Sequence, residues 1–284
     1  MDIKKILLLC CIHVVVNAQA QQKPIRLIIR GDDMGYAHSG NQAIIKCHTE
    51  GIERSVEVLV PSPWFPEAVK LLRENPGIDV GVHLSLTSEW DNEKWRPVSD
   101  CPSLKDADGY FYPMVWPNKN YPGRSVKENK WFLTDIEKEF RAQIELALKD
   151  IPRVSHISSH MGCTDLNDSV RALTRRLAKE YKIDIDPRES GVISISYEGP
   201  HNSSMEKIQS FLRMLDKLKP GNTYLFVDHP GLTSPELEAI HHIGYENVAT
   251  DRQGVTDVWT DKKVMELIKK RKIQLISYAD LLQN

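Results

Sequence analysis

Cysteine is scarce in this chain, and the few present do not make a framework. Five occur, at positions 10, 11, 47, 101 and 163. The three beyond the first twenty residues leave room for one bridge at most, so stability is expected from a hydrophobic core. Charge of one sign is also missing. Lys and Arg number 37 against 39 Asp and Glu, a formal net charge of −2, which gives no reason to expect nucleic acid or an anionic membrane surface as partner. The opening apolar run, Ile6 to Val16, is too short to be a convincing membrane span. No GxGxxG follows the first strand-like run, which argues against a dinucleotide site. What remains is an ordinary globular composition, 41% hydrophobic and 27% charged, and 284 residues suffice for one large α/β domain or two small ones.

The first twenty residues belong to another class. Lys4 and Lys5 precede the apolar run, and Ala18-Gln19-Ala20 supplies small residues for cleavage. A secretory signal peptide over 1–20 is expected, leaving a mature chain of 21–284 that is periplasmic or secreted and does not insert in the membrane. The residues preceding Cys10 and Cys11 are Leu and Cys, which argues against lipid anchoring. Cleavage would leave Cys47, Cys101 and Cys163.

From Arg26 onward, short apolar runs alternate with helical spacing. RLIIRGDDMGY (26–36) reads as a buried strand, a tight acidic turn and the start of a helix. Ser39 is a candidate cap for that helix and Gly51 its end. Further strands are expected at Val56–Val60, at IDVGVHLSL (78–86), at VSHIS (154–158), at IDID (183–186) and VISIS (192–196), at Thr223–Val227 and at QLISY (274–278). Thr134-Asp135-Ile136-Glu137 has the spacing of a capping box before a long helix to Asp150. Seven or so parallel strands with helices between them predict an α/β fold, a (β/α) barrel of an incomplete, seven-stranded (β/α)7 type. A doubly wound open sheet is the competing architecture. An irregular stretch, about 87–129, carries Trp90, Trp95, Tyr110, Phe111, Tyr112, Trp116 and Tyr121. Loops of that length are functional or disordered, and disordered segments are poor in aromatics. Such rings either stack on sugars or pack a satellite core.

Four strands end on residues able to hold a metal or move a proton: Asp32 and Asp33, His83, His156 and His160, and Asp228 with His229. Each alone means little. The carboxyl ends of parallel barrel strands converge on one mouth, so residues distant in sequence become neighbours there. Two imidazoles and a carboxylate suit a catalytic zinc or similar divalent ion.

These residues, in this order, resemble the YdjC-like family of carbohydrate deacetylases, which includes chitooligosaccharide deacetylases and is distantly related to polysaccharide deacetylases. The matching segments are GDDMG, GVHLSLTSEW, SHISSHMG, VDHPG, DRQGVTD and LISYADL. The resemblance implies a divalent ion, zinc or magnesium, on Asp33, His83 and His160. It makes Asp32 the general base and His229 the acid or oxyanion partner. The implied reaction is removal of N-acetyl groups from amino sugars or oligosaccharides by water activated at the ion. Two departures stand out: Ser158 replaces an Asp common in the family, and Gly162 replaces a second His. Other readings are a metal-dependent hydrolase of a sugar ester or phosphoester, and a carbohydrate-binding protein that keeps the metal site without turnover.

Overall fold

The computed structural model describes residues 23–283; the leader expected over 1–20 lies outside them. Seven strands form one parallel sheet: β1 (Arg26–Met34), β2 (Ser55–Val58), β3 (Asp79–Leu84), β4 (Val154–Ser159), β5 (Ile193–Ile195), β6 (Thr223–Asp228) and β7 (Gln274–Ile276). The eight α-helices among the described residues are α1 (His38–Thr49), α2 (Phe65–Glu74), α3 (Leu133–Asp150), α4 (Asp168–Glu180), α5 (Ser204–Lys217), α6 (Pro235–Ala239), α7 (Val248–Trp259) and α8 (Lys262–Lys270). The sheet runs β4-β3-β2-β1-β6-β5. β7 pairs with Arg26–Ile28 of β1, below the point where Arg30 of β1 meets Ser55 of β2. Strands alternating with helices make the expected α/β fold.

Alternation along β1 divides the core. Leu27 and Ile29 pack outward with Phe211, Leu215 and Trp259 of the surrounding helices. Ile28 points the other way, against Leu225, Ile276 and Tyr278. A larger outer cluster joins β2, β3 and β4 to α2, α3 and α4. Burying both faces is what parallel strands require. Among the described residues β4 and β5 do not pair, and a cavity of about 370 Å³ separates them, lined at its inner end by Arg30, Ser158 and Tyr278. The sheet therefore curls without closing, as an incomplete barrel does.

Several local expectations are corrected. Ser39 lies inside α1, whose cap position is Ala37, because its first turn is capped from outside by Glu236, which accepts from the His38 and Ser39 backbone N–H groups. The Thr134 capping box does not form: α3 is capped two residues earlier, at Phe132, whose N–H donates to Ser103 Oγ, and Glu137 pairs with Arg141 and Arg176 instead. IDID is not a strand, whereas VISIS supplies β5. The aromatic stretch is folded, with Trp90, Trp95, Phe111 and Tyr121 buried and Glu139 of α3 accepting from the Val98 and Ser99 backbone. Trp116 is the exposed one, at 40%. Cys47, Cys101 and Cys163 are buried and free. No helix of the described residues is long and apolar enough to cross a membrane.

Candidate metal centre

Asp33 sits at the bend that ends β1, with φ of 71°. That left-handed conformation is costly for a residue with a Cβ, and Asp tolerates it better than most. The Tyr36 N–H bonds the Asp33 carbonyl, and Arg252 Nη2 donates to Oδ2 at 2.8 Å. Its other oxygen, Oδ1, is buried and has no hydrogen-bond partner. Two imidazole nitrogens nevertheless face it: His160 Nδ1 at 3.1 Å and His83 Nε2 at 3.4 Å. One donor atom from each of Asp33, His83 and His160 lies within 4.8 Å of the others, and all three residues are buried. A tetrahedral ion with bonds of about 2.0–2.1 Å spaces its ligand atoms by about 3.3 Å, so the donor set fits a divalent cation. An orphaned buried carboxylate oxygen is costly without such a partner.

Each imidazole is held from behind. His160 Nε2 donates to Glu89 Oε2 at 3.1 Å, leaving Nδ1 toward Asp33. Burial opposes the charge on His160, but Glu89 and Asp33 outweigh it and raise its pKa to about 10. Burial works against the Asp33 carboxylate too, yet His229, His160 and Arg252 hold it well below the usual range. His83 Nδ1 lies 2.6 Å from Ser158 Oγ, and Ser158 donates in turn to Glu57 Oε2. Despite complete burial, His156 and Arg30 bring the Glu57 carboxyl down to about 2.

Asp32 lies beside this triad rather than in it, with Oδ2 3.9 Å from His83 Nε2. Arg30 forks it, Nε to Oδ1 at 2.7 Å and Nη2 to Oδ2 at 2.8 Å, and spends Nη1 on the Tyr278 hydroxyl. A carboxylate has about four acceptor sites, so each Asp32 oxygen keeps one free. His229 occupies the open side, its side chain 39% exposed, with Nε2 3.8 Å from Asp33 Oδ2 and Nδ1 3.6 Å from Asp228 Oδ1. What desolvation it suffers is outweighed by Asp33 and Asp228, which raise its pKa. His156 is not brought to the triad. It lies deeper, stacked on Tyr278 with centroids 3.8 Å apart and bonded to Glu57 at 2.6 Å.

The sequence reading missed Glu57, Glu89, Arg30 and Arg252 as members of the site. Glu89 and Arg252 lie within motif segments and Arg30 beside one, whereas Glu57 lies in none and had no signal in the sequence. Four arginines whose place decides between a neutral and an anionic substrate are all engaged. Arg30 and Arg252 hold Asp32 and Asp33, Arg54 bonds the Glu53 and Gly51 carbonyls, and Arg188 pairs with Asp186.

A model of the YdjC-like protein family matches residues 26–270. The chain belongs to the YdjC-like family. It is similar to proteins described as carbohydrate deacetylases from Brevibacillus brevis and from Enterococcus faecalis. The first is 26% identical over 269 residues, covering 90% of this chain and all of the relative; the second is 27% identical over 267 residues, covering 90% and 98%. A crystal structure from Enterococcus faecalis, given only a provisional role in cellobiose-phosphate cleavage, superposes with a TM-score of 0.71 at 24% identity, covering 91% of this chain and 99% of that one. That likeness is one of fold, the one the YdjC-like chain was expected to have.

Proposed function

We propose that this YdjC-like protein is a metal-dependent carbohydrate deacetylase that hydrolyses N-acetyl groups of amino sugars or their oligosaccharides. One observation carries the reading: the buried, orphaned Oδ1 of Asp33 faced by His83 and His160, with Asp32 alongside. Asp33, His83 and His160 would hold the ion, which when bound supplies Lewis acidity and lowers the pKa of water. Asp32, oriented by the Arg30 fork, accepts the proton of the attacking water. His229, on the open side and with a raised pKa, gives a proton to the leaving amine as the C–N bond breaks. The products are acetate and a free amino sugar. Adjacent carboxylates, one facing the triad and one forked by Arg30, do not flank a bond on opposite sides as glycoside hydrolysis requires.

The test is acetate release from a panel of N-acetylated sugars and short oligomers, with a chelated control. Chelator-sensitive release that Asp32→Asn abolishes, with metal content kept, supports the enzyme. An Asp32→Asn variant as active as wild type removes Asp32 as the base, and a metal-loaded protein that releases nothing removes the deacetylase reading and favours a binding protein. Export through a leader cleaved after Ala20 belongs to the same proposal, and the N-terminal sequence of the mature protein tests it.

A further inference from the structure

Ser158 stands where a carboxylate was expected, and the imidazole it touches is His83. The register explains this. His83 of β3 pairs directly with Ser158 of β4, two residues along from the row Glu57–Gly81–His156 that crosses β2, β3 and β4. Gly81 at the centre of that row is bare. An added Cβ there would lie 2.5 Å from His156 Nε2 and closer still to Glu57 Oε2. The missing side chain lets Glu57 reach across β3, meet His156 with Oε1 at 2.6 Å and receive the Ser158 hydroxyl on Oε2.

Proton counting then leaves one arrangement. An ionised carboxylate only accepts, and a hydroxyl has a single proton. Ser158 gives its proton to Glu57, so it faces His83 Nδ1 with a lone pair. Nδ1 must therefore carry hydrogen, which leaves the lone pair of neutral His83 on Nε2, 3.4 Å from Asp33 Oδ1. We propose that Glu57, acting through Ser158, is the positioning residue that locks His83 in its Nδ1–H tautomer and turns Nε2 toward Asp33. The two imidazoles of the triad are thus held in opposite senses. His160 is set by Glu89 directly and offers Nδ1, whereas His83 is set by Glu57 through one hydroxyl and offers Nε2. The carboxylate behind His83 comes from β2, with Ser158 of β4 closing the gap. That Nε2 then meets an ion rests on the metal reading above; the tautomer does not.

The experiment is ¹⁵N NMR of the imidazoles in chelated protein, with His83 assigned by His83→Gln, followed by zinc affinity from competition titration. Wild type and Ser158→Thr, which keeps the hydroxyl, should show protonated Nδ1 on His83. Ser158→Ala should lose the fixed tautomer and weaken zinc by ~10–100-fold, the usual cost of removing a group that orients a ligand. Glu57→Gln with Ser158→Asp, which places a carboxylate on β4, should recover both signals. Protonated Nε2 in wild-type His83 overturns the proposal, as does a Ser158→Ala protein with tautomer and affinity unchanged. The wild-type spectrum decides the matter even if a variant fails to fold. Wild type that shows protonated Nδ1 yet takes no zinc upholds the lock and refutes the metal reading instead.

Discussion

Arg252→Met separates the two forces that hold Asp33 in place. Arg252 is 3% exposed, donates to Asp33 Oδ2 at 2.8 Å, and lies over the rings of Tyr36 at 4.3 Å and Trp90 at 5.2 Å. Methionine keeps the apolar stem and removes the charge. Breaking a buried ion pair from one side costs about 3–5 kcal/mol, because the other charge is left uncompensated. Lost cation–π contact adds up to about 2 kcal/mol. Against this stand Arg252 Nε and Nη1, both buried without hydrogen-bond partners, whose removal relieves a penalty of about 1–3 kcal/mol each. At the middle of each range about 5 kcal/mol is lost and about 4 regained, which leaves a loss of about 1 kcal/mol in chelated protein, or ~2–4 °C in Tm for a chain of this size. An excess of divalent ion should recover most of the difference, since a cation on Oδ1 then balances the carboxylate. Equilibrium urea unfolding with chelator and with excess zinc measures both effects. A variant as stable as wild type in chelator, or a loss that zinc leaves unchanged, refutes the reasoning.

Three further outcomes are expected. Burial, aided by Glu236 and Glu89, pushes the Glu93 carboxyl up to about 8, so the folded chain holds a proton that the unfolded chain releases near pH 4–5. The stability this gives is complete below that range and is lost as pH rises toward 8, by at most about 1.4 kcal/mol per pH unit; Glu93→Gln should flatten that slope in urea unfolding. Gly81→Ala forces a Cβ into the Glu57–His156 contact and should cost about 1–3 kcal/mol while weakening zinc binding, checked by the same unfolding and competition titrations. Trp90→Ala should lose about 3–5 kcal/mol because the ring is 2% exposed, whereas Trp116→Ala should keep its stability and raise KM for the acetylated sugar.

The fold was largely legible because apolar runs and helical spacing alternate through the chain, and seven strands were countable. What failed was local. The Thr134 capping box has the right spacing, but the Glu137 carboxylate it needs is taken by Arg176, a partner 39 residues away. Ser39 has a good capping side chain, yet Glu236 from α6 supplies the acceptors its helix needs. In both places a tertiary contact outcompeted a local preference, and local spacing carries no information about it.

The site divides along the same line. Asp33, His83 and His160 lie together because each sits at the end of a strand, and the fold gathers strand ends at one mouth whatever the register; strand ends alone offered His156 equally, and the family resemblance chose among them. The groups that orient them were not readable, because their reach depends on register. Glu57 pairs with Gly81, Gly81 pairs with His156, and His83 pairs with Ser158. Shift β2 by one residue and its side chains exchange faces, so Glu57 leaves the interior and His83 loses its carboxylate. Glu89 and Arg252 depend on the folded loop and on α7 in the same way. The donor set follows from topology, but its tautomers and its charge balance follow from the pairing of individual residues. Substitutions at Gly81, Ser158 and Glu57 should therefore disturb metal affinity as strongly as many changes nearer the ion, although none of the three contributes a donor atom.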